Sequence, residues 1–309
     1  MPGTVKGVDM KIAITGATGF IGQALGRDLA SAGHSVLALT RNPDAVRRPS
    51  EPGIEAVAWN SAEPTPLPPC DAVVHLAGES VAGRWNAEKK ARIRDSRVQG
   101  TRALVDAIGR MAAKPSVLVS ASGVGYYGDR GDESLPESAP PGDDFLAQVC
   151  VGWEAEARRA ESMGLRVVSV RLGIVLDRDG GALEQMALPF KLGAGGHLGS
   201  GKQWISWVHR DDAVALFRLA LDRPDLSGPV NGCAPEPVTN ADFSTALGKA
   251  LHRPSLLPVP GFALKLAMGE FAETLLGGQR CIPQAARETG FDFRYPTLSE
   301  ALGEIYGNR

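Results

Sequence analysis

The chain has 309 residues, 43% hydrophobic and 22% charged, with a formal net charge of −2. That supplies a full apolar core. The lack of a basic excess argues against nucleic acid and for small-molecule ligands. Cys70, Cys150, Cys233 and Cys281 form no CxxC pair and the histidines form no HxxxH or HExxH, so neither a disulfide framework nor a metal site is expected.

Residues 1–9 carry Pro2, Gly3 and Gly7 without a periodic pattern and read as a flexible extension. They lack the apolar stretch of a signal peptide, and no run of about 18 apolar residues follows, which predicts a soluble, cytoplasmic chain without a membrane partner. Ile12–Thr15 reads as a buried strand, Gly16, Gly19 and Gly22 as a turn, and Ile21, Leu25 and Leu29 as one face of a helix. Val36–Leu39 then completes a βαβ unit. In that context the turn is a dinucleotide-binding signal: glycines let the backbone approach a pyrophosphate at the helix N-terminus. At the end of the second strand stand Thr40 and Arg41, where a carboxylate would hold a ribose 2′-hydroxyl. A guanidinium there suits a 2′-phosphate, so the expected cofactor is NADP(H).

Further strands are predicted at Ala72–Leu76, Val117–Ser120, Val167–Arg171 and Pro229–Gly232, with helices at Ala87–Met111 and Phe145–Met163 between them. The alternation predicts an α/β fold, a Rossmann-type doubly wound parallel sheet with a smaller C-terminal substrate lobe. The expected cofactor core is 10–172 with a returning segment near 205–232. The substrate lobe and helical tail take 173–204 and 233–305, including helices at Ala241–Leu251 and Phe262–Leu276. His75, inside an apolar run, reads as a packed core residue. "GHLGSGKQ" satisfies GxxxxGK, but Gln203 replaces the magnesium-binding hydroxyl and no apolar strand precedes it, which excludes a nucleotide-triphosphate loop.

The motifs "GATGFIG", "AVVHLAG", "VQGT", "SASGVGYYG", "VRLGIVL" and "WVHRDDAV" occur in the order seen in extended short-chain dehydrogenases and reductases of the epimerase/dehydratase type. With "RWNAEKKARIRDSR" and the tail "LLGGQRCIPQAARETGFDFRYPTLSEAL", the chain resembles the branch sometimes labelled cell-division-inhibitor-like over about residues 10–305. The resemblance assigns Gly16, Thr18, Gly19, Phe20, Ile21 and Gly22 to the diphosphate turn. It assigns Thr40 and Arg41 to the adenosine ribose, and Leu76 and Ala77 to the middle of the cofactor. Arg97 stands where relatives have Asn and is assigned to the cofactor or an anionic substrate, and Ile174 lies beside the nicotinamide.

The family's Tyr-x-x-x-Lys pair, in which lysine lowers the phenol pKa for proton exchange, is missing. In "FLAQVCVGWEAEA" Leu146 takes the tyrosine position and Cys150 the lysine position, and none of the four tyrosines has lysine four residues on. Ser122 with Tyr126 or Tyr127 is the remaining catalytic set, Tyr127 having the alternative of packing beneath the site. On the substrate side the candidates are Arg84, Trp85, Lys202, Gln203, Trp204, Trp207 and His209, which suit a polar, anionic ligand; packing between lobes is the alternative for the tryptophans. Two functions stay open: an NADP(H)-dependent oxidoreductase or epimerase acting on a small polar substrate without the usual pair, and an NADP(H)-binding sensor without turnover.

Overall fold

The computed structural model describes residues 9–43, 52–63 and 66–307; residues 1–8 of the expected extension lie outside them. Along the chain run β1 (Lys11–Thr15), α1 (Phe20–Ser31), β2 (Ser35–Thr40), β3 (Ile54–Ala58), β4 (Ala72–His75), α2 (Ala87–Gly109), β5 (Val117–Gly123), β6 (Ser134–Leu135), α3 (Phe145–Arg158), β7 (Arg166–Leu172), β8 (Ile174–Leu176) and α4 (Gly181–Lys191). They are followed by β9 (Trp204–Ile205), β10 (Trp207–His209), α5 (Arg210–Asp222), β11 (Gly228–Gly232), β12 (Val238–Thr239), α6 (Asn240–Ala250), α7 (Gly261–Met268), α8 (Phe271–Leu276), β13 (Arg280–Cys281), α9 (Gln284–Glu288) and α10 (Leu298–Tyr306).

Seven strands form one sheet in the order β3, β2, β1, β4, β5, β7, β11, and every neighbouring pair is parallel. Helices cover both faces, which is why the inner strands read as nearly continuous apolar runs. Leu25 and Leu29 of α1 with Val214 and Phe217 of α5 pack on Ile12, Ile14 and Val119. On the other face Leu104 and Ile108 of α2 and Ala157 of α3 meet Ala13, Leu37 and Leu118. Strand order reverses between β1 and β4, so the crevice at their C-terminal ends is where a ligand of such a sheet binds.

A second core joins Leu176, Phe190, Trp207, Phe243, Leu247, Tyr295 and Leu302. The short pairs β8 with β10, β9 with β12 and β6 with β13 tie this part to the main sheet's C-terminal edge. Three local expectations change. The helix predicted over 145–163 is α-helical to Arg158 and then tightens into a 3-10 turn. The one expected over 262–276 breaks at Gly269, whose φ of 61° is left-handed. The edge strand β3, half exposed with Glu55 in it, lacked an apolar run by which to predict it.

Candidate functional site

The crevice is built on glycines. Gly16 has a φ of 69°, and a Cβ on it would stand 2.8 Å from Leu76 C and Ala77 N, so the turn lies directly against the backbone leaving β4. A Cβ on Gly22 would come within 2.2 Å of the Gly16 carbonyl oxygen, and the Gly19 N–H donates to that same oxygen at 2.9 Å. Only bare backbone permits this turn. α1 has Gly19 at its N-cap, no side-chain cap and no acid in its first turn; α2, α3, α5, α6 and α10 each have a side-chain cap, while α4, α7, α8 and α9, like α1, have none. The first N–H groups of α1 are left for an external acceptor such as a diphosphate. Thr18 is exposed, Ile21 and Phe20 are half-buried, and the Phe20 ring meets Gly180 and Gly181 at the start of α4.

Thr40 ends β2, its hydroxyl accepting the Asn42 N–H at 3.2 Å, and Arg41 is exposed with no ion pair to a described residue. The residues present therefore fit a dinucleotide with a charged ribose. Leu76 and Ala77 border the turn, and Ile174 opens β8 with its N–H on the Ser206 carbonyl at 2.8 Å. Arg97 reaches from α2 to Gly78, its guanidinium carbon 3.3 Å from where a Gly78 Cβ would be. Its Nη1 donates to the carbonyls of Glu79 at 2.9 Å and Ile93 at 3.2 Å, and its plane lies 5.1 Å from the Trp153 ring. Burial lowers its pKa, with Cys150 and Glu79 acting the other way.

Beyond the glycine turn the side chains are held more tightly. Ser122 donates to Glu154 Oε1 at 2.8 Å, and the same carboxylate receives Arg171 Nε at 2.8 Å and Nη2 at 2.9 Å, all three residues being buried. Arg171 Nη1 donates to the Tyr127 hydroxyl at 2.9 Å, which in turn donates to Asn231 Oδ1 at 2.7 Å. Tyr127 is fully buried, and burial drives its pKa above the usual phenol range against the pull of Arg171. Tyr126 stacks beneath the same guanidinium at 3.4 Å and borders a crevice of about 250 Å³ with Glu154, Arg158 and Ser169. Leu146 packs against Gly125, and Cys150 lies near Gly123, its thiol pushed up to about 11 by burial and the Glu154 charge. No acid of ordinary strength stands in the family's tyrosine position.

Among the substrate-side candidates, Arg84 and Lys202 are exposed, and Arg84 lies beside Gly269. Trp85 is buried between Phe145 and Phe271 and donates to the Val81 carbonyl at 2.7 Å. Gln203 Nε2 binds the carbonyls of Leu198 and Leu275 at 3.0 and 3.1 Å, while its buried Oε1 has no partner. Trp204 donates to Asp132 at 2.8 Å. Trp207 lies wholly inside the second core with its indole N–H on the Glu236 carbonyl at 3.0 Å. His209 is buried against Tyr295, its Nδ1 accepting the Asp211 N–H at 3.1 Å and so capping α5. The site thus gathers the glycine turn, the β4 end, Arg97 and Ser122, and leaves Trp207 and His209 in the core.

Glu154 and Asn231 were not identified from sequence. The signal that points to them is Arg171, a charge at the end of the apolar strand predicted over 167–171, since a buried charge demands a buried partner. Nothing in the spacing says that Glu154, 17 residues earlier on α3, is that partner.

Residues 12–231 match the model of the NAD dependent epimerase/dehydratase family, and 259–305 match DUF1731, a domain of unknown function. The chain is 43% identical over 306 residues to the epimerase family protein SDR39U1 homolog, chloroplastic, of Arabidopsis thaliana, covering 97% of this chain and 88% of that one. The crystal structure of human epimerase family protein SDR39U1, isoform 2, with NADPH superposes with a TM-score of 0.88 at 37% identity, covering 97% of this chain and 100% of that chain. MoeE5 in complex with UDP-glucose and NAD shares the fold at a TM-score of 0.76 and 20% identity, over 96% of this chain and 97% of that chain.

Proposed function

Since the chain belongs to the NAD dependent epimerase/dehydratase family, among the extended short-chain dehydrogenases and reductases, we propose that it binds NADP(H) and acts as an oxidoreductase or epimerase on a small polar carbonyl or carbinol compound. The observation that carries this reading is the cradle of Gly16, Gly19 and Gly22 at an uncapped helix, with the exposed Arg41 guanidinium at the ribose end. When bound, the nicotinamide supplies hydride exchange. The chain's own part is orientation: the turn holds the diphosphate, Arg41 the 2′-phosphate, and Arg97 faces the middle of the cofactor. Ser122, its own proton directed to Glu154, is assigned to accept a hydrogen bond from a substrate hydroxyl. Proton exchange is assigned to water, with Tyr126 as the site phenol whose hydroxyl has no acceptor among the described residues, whereas the Tyr127 hydroxyl donates to Asn231. Arg84 and Lys202 are assigned to an anionic group of the substrate, while Tyr127, Trp207 and His209 belong to the scaffold.

The packing of Leu146 and Cys150 in the two catalytic positions favours a second reading, an NADP(H)-binding sensor without turnover. Loss of the usual pair removes about 10²- to 10⁴-fold of proton catalysis and leaves orientation intact. Incubation with stereospecifically deuterated NADPH and pooled metabolites separates the two. Label transferred to a product, and diminished in Ser122→Ala, supports the enzyme; tight binding with no transfer across the pool supports the sensor.

A further inference from the structure

Six large apolar side chains among the described residues are exposed by 56–78%: Leu188, Leu192, Leu256, Leu257, Phe262 and Leu266. All six come from two segments that the backbone joins. Gly195 bridges to Ser255 and Leu198 to Val259, the Leu257 N–H donates to the Gly195 carbonyl at 3.0 Å, and the Val259 N–H donates to the His197 carbonyl at 2.9 Å. α7 has no buried residue at all, and Phe262 and Leu266 stand one turn apart on it. A helix built this way has an apolar face with nothing against it.

The charges of the same two segments have one sign. Residues 185–203 and 243–269 contain Lys191, Lys202, Lys249, Arg253 and Lys265 and not one Asp or Glu, in a chain whose net charge is −2. All five cations are exposed, and Lys249, His252 and Arg253 line one groove with Leu256. The acids that bound these segments in sequence are Glu184, Asp242 and Glu270: Asp242 accepts the Thr239 hydroxyl at 2.6 Å and Glu270 is held by Lys90 at 2.6 Å, while Glu273, further on, lies 3.9 Å from Lys265.

We propose that this face of the second lobe docks on the surface of an anionic lipid bilayer. Leucine and phenylalanine side chains enter the headgroup boundary while Lys191, Lys249, Lys265 and Arg253 meet lipid phosphates. No helix among the described residues is long and apolar enough to cross a membrane, so the contact is with the surface. A second copy of the chain is a poorer occupant, because a two-fold contact would bring this mostly cationic face against its own copy. The proposal is independent of the cofactor reading.

The test is co-sedimentation with vesicles of phosphatidylcholine alone and of phosphatidylcholine containing one third phosphatidylglycerol. The protein is expected to sediment only with the second and to be released by high salt. Phe262→Ser with Leu266→Ser, and separately Arg253→Glu with Lys265→Glu, should each weaken partition by about tenfold or more at unchanged melting temperature. No sedimentation with anionic vesicles, equal sedimentation with both kinds, or unchanged partition of the variants overturns the proposal. So does a concentration-dependent dimer, seen by light scattering and lost in the apolar variant, which would make a second copy the occupant.

Discussion

Arg41 stands at the end of β2 with no ion pair to a described residue, so a phosphate placed there meets an unneutralised guanidinium. Such a charge-assisted contact contributes about 1.5–3 kcal/mol, roughly ten- to a hundredfold in affinity. Arg41→Ala is therefore expected to weaken NADPH binding by that factor and leave NADH unchanged, and calorimetry of both cofactors on both proteins measures it. Equal wild-type affinities would remove Arg41 from the site. His75 is the second residue with a measurable consequence. It is buried at the end of β4 between the Thr15 hydroxyl at 2.6 Å and the Thr101 hydroxyl at 2.9 Å, and burial, then the Arg97 charge, lowers its pKa to about 4. The folded state holds it neutral while the unfolded chain takes up a proton near pH 6.5, so its contribution is full above that pH and is lost as pH falls towards 4. The loss amounts to about 3 kcal/mol at most. Urea midpoints should decline from pH 6.5 to 4 in the wild type and less steeply in His75→Gln; parallel curves would show that His75 does not carry the dependence. Its apolar neighbours made the buried role legible in the sequence, whereas the pairing of Ser122 with Glu154 depends on a long-range contact that no local pattern reports.

The β1, turn and α1 unit was fully legible because each part carries a local signal: an apolar strand, glycines at fixed spacing, and a helix face repeating every four residues. The break between α7 and α8 was not, since Gly269 interrupts an otherwise unbroken helical pattern and only its left-handed backbone ends α7 there. Two glycines of α1 separate a functional constraint from ordinary packing. A Cβ at Gly22 would press on the Gly16 carbonyl oxygen at 2.2 Å, whereas one at Gly26 would meet the side chains of Ile54 and Val36 at 3.6 and 3.9 Å, ordinary contact distances. Gly22→Ala is expected to cost about 1–3 kcal/mol and to abolish NADPH binding by displacing the turn. Gly26→Ala should be neutral or stabilising by up to about 1 kcal/mol from helix propensity. Thermal melts and cofactor titration of the pair decide it. Equal behaviour of the two variants would show that the close approach at Gly22 is not what shapes the cradle.

At the scale of the molecule, the alternation of apolar runs and helical stretches predicted the parallel sheet, while the place of the C-terminal tail could not be read because its partners are far away in sequence. The tail is part of two cores. Tyr295, Leu298, Leu302 and Ile305 are buried with Trp207 and Phe243, and Ala286 and Phe293 are buried against Leu216 of α5. Asp212 at the start of α5 accepts the N–H groups of Arg294 and Tyr295 at 2.8 and 3.0 Å, and Arg178 donates to the Ile305 carbonyl at 2.8 Å. Removing the tail thus uncovers α5, a helix that also packs on α1 and the main sheet. Each large buried side chain contributes about 1.5–3 kcal/mol, so the loss approaches or exceeds the roughly 5–15 kcal/mol of net stability in a domain. A chain ending at residue 258, before the segment that matches DUF1731, is expected to be insoluble or to lack a cooperative melt and NADPH binding. Size exclusion, circular dichroism and cofactor titration check this. A monodisperse fragment that melts cooperatively and binds NADPH would show instead that the tail is an appended lobe on a self-sufficient core.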